Sequence, residues 1–151
     1  FTLTGQRTTP VKVIAQIQFR RAVSQISFDQ GVAMSQNQPT ISGIRKAVES
    51  RDAKSLKALY AANAVITIID TVNPPSKPRI IKGAADIGAY LEDVYSRDMT
   101  HTLESGVADS KHLAFVEGCL YPDGTRVTAS AMAELGPGGI VKQTIVQAWD
   151  S

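Results

Sequence analysis

The last third of the chain narrows its possible folds most. After Arg97-Asp98, four segments of strand-like pattern follow one another at about 99–108, 112–121, 125–135 and 139–149, with no helical stretch between them. The breaks, Asp109-Ser110, Pro122-Asp-Gly124 and Gly136-Pro-Gly-Gly139, are tight-turn sequences. Strands joined so closely must pair antiparallel, because a parallel pair needs a crossover of a dozen or more residues.

What precedes them supplies the cover. Thr40 or Ser42 can cap a helix with apolar positions Ile44, Ala47 and Val48. Asp52 reopens it with Leu56, Leu59 and Tyr60 on one face, predicting a paired or kinked helix to about residue 61. The β-branched run Val65–Ile69 reads as a strand ending at Asp70. Three prolines between Asn73 and Pro78 exclude helix and central strand, so a loop follows, then a short strand, Arg79–Lys82, and Gly83. Ile87, Tyr90, Leu91, Val94 and Tyr95 fall at i, i+3, i+4, i+7 and i+8 of a helix, with Asp86 placed favourably in its first turn. Helix, strand, helix, then consecutive strands predict an α+β domain with helices on one face of a curved antiparallel sheet.

Composition adds limits. A hydrophobic fraction of 43%, a charged fraction of 20% and a mean hydropathy of −0.06 describe an ordinary soluble domain. The formal charge is +2 and the pI about 8.8, but the excess is local. Residues 1–33 carry Arg7, Lys12, Arg20 and Arg21 against Asp29, a net +3, and residues 34–151 carry −1. The larger part therefore gives no charge argument for nucleic acid or a membrane surface, and neither is expected as a partner. We divide the chain into an N-terminal extension of uncertain origin, 1–33, and a domain, 34–151, which begins at the first methionine, Met34. Arg20 and Arg21 interrupt the scattered apolar residues of 11–28 where a secretory signal needs an unbroken core. A translated upstream region, a targeting arm, or an extra strand or helix remain as readings of that stretch. No run of 18 apolar residues offers a membrane span. The single cysteine, Cys119, excludes a disulfide framework and a multi-thiolate zinc site, and it fits a reducing, cytoplasmic location.

The segments ALYAANAVITIID and PRIIKGAADIGAYL, with YPDGTRV and the closing GGIVKQTIVQAWD, resemble the nuclear transport factor 2-like superfamily over roughly residues 41–150. Within it they are most similar to the bacterial SnoaL-like branch. The resemblance implies a cone-shaped, strongly curved antiparallel sheet wrapped around N-terminal helices (a cystatin-like roll) that encloses a pocket. It also implies a homodimer through the sheet's outer face. It fixes no single activity, since the superfamily hosts isomerases, cyclases, hydratases, epoxide hydrolases and non-catalytic modules. The ketosteroid isomerase constellation does not carry over: Ile68, Ile44 and Ala131 stand near where that group has a carboxylate, a tyrosine and an acid. The Arg–Asp pair of limonene-epoxide hydrolase-like members has no evident match.

The candidate site follows from the central hairpin. A type I turn at Pro122-Asp123 with an αL bulge at Gly124 pairs Cys119 with Val127, Glu117 with Ala129 and Phe115 with Ala131. Phe115, Glu117, Cys119 and Tyr121 then share a face opposite small residues, which suits a pocket floor. A two-residue Asp-Gly turn would slip that register. Glu117 interrupts an apolar strand; a carboxylate in a dry cone has its pKa raised by as much as about 3–5 units and can serve as acid or base near neutrality. A solvated outer-face glutamate or an interface ion pair is the other reading. His101 shares a strand face with Met99, Leu103, Ser105 and Val107 near where a cone would open, and SnoaL-like cyclases resemble this in using histidine with a carboxylate. Asp70 is either a loop cap or a base at the pocket mouth. Tyr60, Tyr90 and Tyr95 lie on the apolar faces of helices, with Tyr60 and Tyr95 offered to the pocket beside Trp149. No Gly-rich phosphate loop and no metal-spaced cluster is present, and Cys119 has no adjacent base. The expected ligand is a small apolar organic carbonyl compound, handled by His101 with Asp70 or Glu117 in cofactor-free acid–base chemistry of isomerase, cyclase or hydratase type. The alternative is a non-catalytic ligand-binding or dimerisation module.

Overall fold

The computed structural model describes residues 38–151. The expectations for the extension, 1–33, and for the boundary at Met34 lie outside the described residues.

Thr40, in extended conformation, opens α1 (Ile41–Glu49) by accepting the Gly43 amide at 3.1 Å. Asp52 does the same for α2 (Ala53–Lys57), accepting from the Ser55 amide at 2.9 Å. That helix stops earlier than the sequence suggests. Leu59 and Tyr60 leave it, and Tyr60 begins β1 (Tyr60–Ile69), so its predicted place on a helix is corrected. The stretch Tyr60–Ala64 is rich in alanine, a helix former, but Ile140 donates its amide to the Leu59 carbonyl at 2.8 Å and pairs with Tyr60. Pairing with a distant strand overrides local propensity. Gly139 permits the approach: its φ is +107°, and a Cβ there would lie 2.3 Å from the Leu59 carbonyl oxygen.

The remaining elements are β2 (Arg79–Lys82), α3 (Gly83–Ser96), β3 (Thr100–Ala108), β4 (His112–Leu120), β5 (Arg126–Gly136) and β6 (Gly139–Trp149). They form one curved, unclosed six-stranded sheet in the order β2-β1-β6-β5-β4-β3. All neighbours run antiparallel except β1 and β6, which run parallel. The chain between β1 and β6, carrying α3 and four strands, is ample for that crossover. One face of the sheet and the helices close over Ile44, Val48, Ile66, Ile87, Leu103 and Leu113, none more than 2% exposed. Each contributes about 1.5–3 kcal/mol on burial.

Two local features set the site. The bulged hairpin forms: Tyr121 donates its amide to the Thr125 carbonyl at 2.9 Å, Gly124 has φ +90°, and Glu117 stands opposite Ala129. In β3 the register shifts between Leu103 and Ser105. His101 and Leu103 therefore face inward, whereas Ser105 and Val107 turn outward, with Val107 71% exposed. This corrects the expectation that all of them share one face.

Candidate functional site

Small residues on β5 leave room above the sheet. Val127, Ala129 and Ala131 face Cys119, Glu117 and Phe115, and a cavity of about 240 Å³ lies over them, roofed by Tyr90, Leu91, Val94 and Tyr95 of α3. Tyr60, Ile68, Gln143, Ile145 and Trp149 close the remaining sides. Phe115, Glu117, Cys119 and Tyr121 all line it, as the hairpin register requires.

Glu117 is the polar centre and only 7% exposed. His101 approaches from β3, with Nδ1 2.6 Å from Glu117 Oε1. Against an ionised carboxylate, which only accepts, Nδ1 is the donor of this contact. Tyr95 donates its hydroxyl to both carboxylate oxygens at 3.2 and 3.3 Å, and its ring lies 4.6 Å from the His101 ring. Cys119 Sγ stands 3.5 Å from His101 Nδ1 and 3.7 Å from Glu117 Oε1. His101, expected near the opening, lies behind Glu117 instead: its side chain is 0% exposed and it does not line the cavity. Its Nε2 is buried with no hydrogen-bond partner among the described residues.

Burial and the Glu117 charge together keep the surrounding acids protonated. The Tyr95 hydroxyl is pushed far above its ordinary value by burial, then by the charge of Glu117 and the hydrogen bond to it. Burial also lifts Tyr60, with Tyr90 and Glu117 adding. Tyr90 rises to about 12 through burial and then Glu117, and the Cys119 thiol to about 12 for the same two reasons. Around Glu117 the cavity therefore presents the phenols of Tyr60, Tyr90 and Tyr95, held protonated, and an inert thiol. Tyr60 spends its proton on Gln143 Oε1. Tyr90 has no hydrogen-bond partner among the described residues and faces the cavity.

Asp70 also borders the cavity, at its outer end, but its carboxylate is engaged. It accepts from the Val72 and Asn73 amides at 2.9 and 2.8 Å and from the Asn73 side chain at 2.9 and 3.0 Å. Burial raises its pKa, but those hydrogen bonds and nearby Arg79 outweigh burial and hold it below the usual carboxylate value. Trp149, 39% exposed, stacks on Tyr121 with ring centroids 6.0 Å apart. His112 is exposed beside Asp109.

His101 Nδ1, Glu117 Oε1 and Cys119 Sγ converge within 4.8 Å, a potential metal set that sequence spacing does not reveal. The 2.6 Å between Nδ1 and Oε1 is a hydrogen-bond length. Nitrogen and oxygen ligands of one tetrahedral zinc, each at about 2.0–2.1 Å, would stand about 3.3 Å apart. The arrangement is that of a hydrogen-bonded cluster.

Comparison with solved structures returns the same architecture repeatedly. A candidate ketosteroid isomerase from Kribbella flavida DSM 17836 superposes with a TM-score of 0.58 at 19% identity, covering 73% of this chain and 74% of that one. A nuclear transport factor 2-like protein of unknown function from Mesorhizobium loti gives a TM-score of 0.60 at 17% identity, covering 70% and 84%. The chain has the nuclear transport factor 2-like fold. A cystatin-like protein from Silicibacter pomeroyi DSS-3 adds a TM-score of 0.58 at 18% identity, covering 74% of each chain. No family model and no curated protein matches the sequence. Within this nuclear transport factor 2-like fold, β3, β4 and α3 bring His101, Glu117, Cys119 and Tyr95 together, while Asp70 stands apart in its own loop.

The sequence reading missed Gln143 and Arg79 as cavity residues and did not single out Tyr90 among the helix tyrosines for the pocket. Gln143 carried a legible signal: it is a polar residue on the inward face of β6, in step with Ile145. Arg79 had none, because the orientation of β2 depends on its pairing with β1.

Proposed function

We propose that the cavity binds a small, largely apolar carbonyl compound and that Glu117 moves a proton beside the carbonyl. The observation that carries this reading is the Glu117 carboxylate itself, buried against a largely apolar cavity, with His101 behind it and Tyr95 of the roof donating to it. Glu117 would take the proton from the carbon next to the carbonyl, leaving the C–H electron pair as an enolate. The unpartnered Tyr90 hydroxyl is a donor for the developing oxyanion. Returning the proton to another carbon of a conjugated enolate completes an isomerisation. Attack by the enolate carbon on a second carbonyl of the same molecule, whose oxygen gains the π electron pair and takes the proton back from Glu117, completes a cyclisation of the kind found in the SnoaL-like branch. General-base action of this kind is worth about 10²–10⁴-fold in rate. His101 acts through Glu117 as a positioning residue, and the geometry favours Glu117 over Asp70 as the base.

Deuterium uptake next to the carbonyl of small cyclic ketones and enones, followed by NMR in heavy water, tests the proposal. The wild-type chain should accelerate exchange and Glu117→Gln should not. Equal exchange by both would eliminate the mechanism.

One observation favours the alternative of a non-catalytic ligand-binding or dimerisation module. The free volume of about 240 Å³ lies under the usual lower bound of about 300 Å³ for ligand pockets. In that reading a ligand binds wild type and Glu117→Gln without exchange in either. We further propose a homodimer through the outer sheet face, where Val107, Met132 and Val146 stay exposed at 71%, 65% and 47%. Sedimentation of wild type and Met132→Glu should give a dimer and a monomer.

A further inference from the structure

The charges at the cavity's outer end differ from one another in what they already touch. Asp70 is engaged by four hydrogen bonds from its own loop, three on Oδ1 and one on Oδ2. Arg97 is tied to Asp93 at 2.6 Å and to the Tyr121 hydroxyl at 3.4 Å. Arg79 lines the same cavity and makes no ion pair or hydrogen bond through its side chain among the described residues. It is nevertheless positioned: its guanidinium carbon lies 5.5 Å from the centre of the Tyr90 ring, and its backbone pairs with Ile68, another cavity residue. A guanidinium over an aromatic face keeps its in-plane N–H donors free for a carboxylate.

Resting on the function proposed above, we propose that the ligand is a small oxo acid, with its carbonyl at Glu117 and its carboxylate on Arg79. Two further observations support this class. Glu117 is the more buried carboxylate of the cavity, so an anionic ligand is oriented by repulsion from Glu117 and attraction to Arg79. The volume of about 240 Å³ suits a one-ring or short-chain acid better than a fused polycyclic ligand.

The test uses a set of cyclic and short-chain oxo acids, each beside its methyl ester, with binding followed by NMR or calorimetry. For wild type, at least one acid should bind about tenfold more tightly than its ester, the scale of one hydrogen bond to a charged group. That preference should fall with added salt. Arg79→Gln should abolish it while leaving ester affinity unchanged, and Arg79→Lys should keep part of it. Arg97→Gln, a control, should preserve the preference. Equal affinity for every acid and ester, binding by no acid, or a preference that survives Arg79→Gln overturns the proposal. Binding is measured in Glu117→Gln as well. A preference retained there without proton exchange in wild type would sink the acid–base reading alone and leave the oxo-acid site standing.

Discussion

The inner and outer ends of the cavity each carry a carboxylate, and their surroundings differ. Glu117 is buried, with an imidazole, a phenol and a thiol as its hydrogen-bond partners, and it lines the cavity. Asp70, on the rim, is filled by the amides and side chain of the loop it organises. Both follow apolar runs in the sequence and both have four hydrogen-bond contacts, but those of Asp70 come from the loop it caps, whereas those of Glu117 come from the side chains of His101, Tyr95 and Cys119. Lining a cavity is therefore a poor guide to chemistry; what the group has already bonded decides whether it can react.

The sharpest test of the contrast is Glu117→Gln, which should lower proton exchange about 10²–10⁴-fold while circular dichroism stays native. His101→Ala comes next. It removes a buried partner and should cost about 1–3 kcal/mol in urea unfolding, with a fall in exchange smaller than that of Glu117→Gln. Exchange equal to wild type in the folded variant would break the positioning role. Tyr95→Phe keeps the ring beside His101 and deletes only the hydroxyl, so a loss of about 0.5–1.5 kcal/mol, or up to roughly tenfold in rate, is expected.

Asp70→Asn should change exchange least, and its effect should appear instead in the acid limb of stability. Asp70 titrates below its ordinary value of 3.8 in the folded chain. Between the folded and unfolded values the unfolded chain holds the extra proton, so stability rises with pH there. The contribution is complete above the unfolded value and is lost as pH falls through the folded one. Melting temperatures of wild type and Asp70→Asn should thus differ at pH 7 and converge in strong acid. A drop in exchange as large as that of Glu117→Gln would overturn the contrast between the two ends.

Much of this was legible because it is local. The cap residues Thr40 and Asp52, the apolar stripe of α3 and the turn chemistry of Pro122-Asp-Gly124 each act within a few residues, and each formed as expected. The hairpin even placed Glu117 among Phe115, Cys119 and Tyr121 on the cavity wall. Tyr60 shows where local reading ends, since its strand conformation comes from Ile140, far along the chain. The bulge after Leu103 is another case: it turned Ser105 and Val107 outward, and Gly106 just beyond it was the only local sign.

By itself, then, the sequence determined the elements, their order and the hairpin register, because caps, periodicity and tight turns are set by neighbouring residues. Tertiary structure alone decided the parallel meeting of β1 with β6, the placing of Arg79 beside Tyr90, and the contact that joins His101 on β3 to Glu117 on β4. Those depend on the side chains that curvature and strand pairing bring together, and no local propensity encodes that distance.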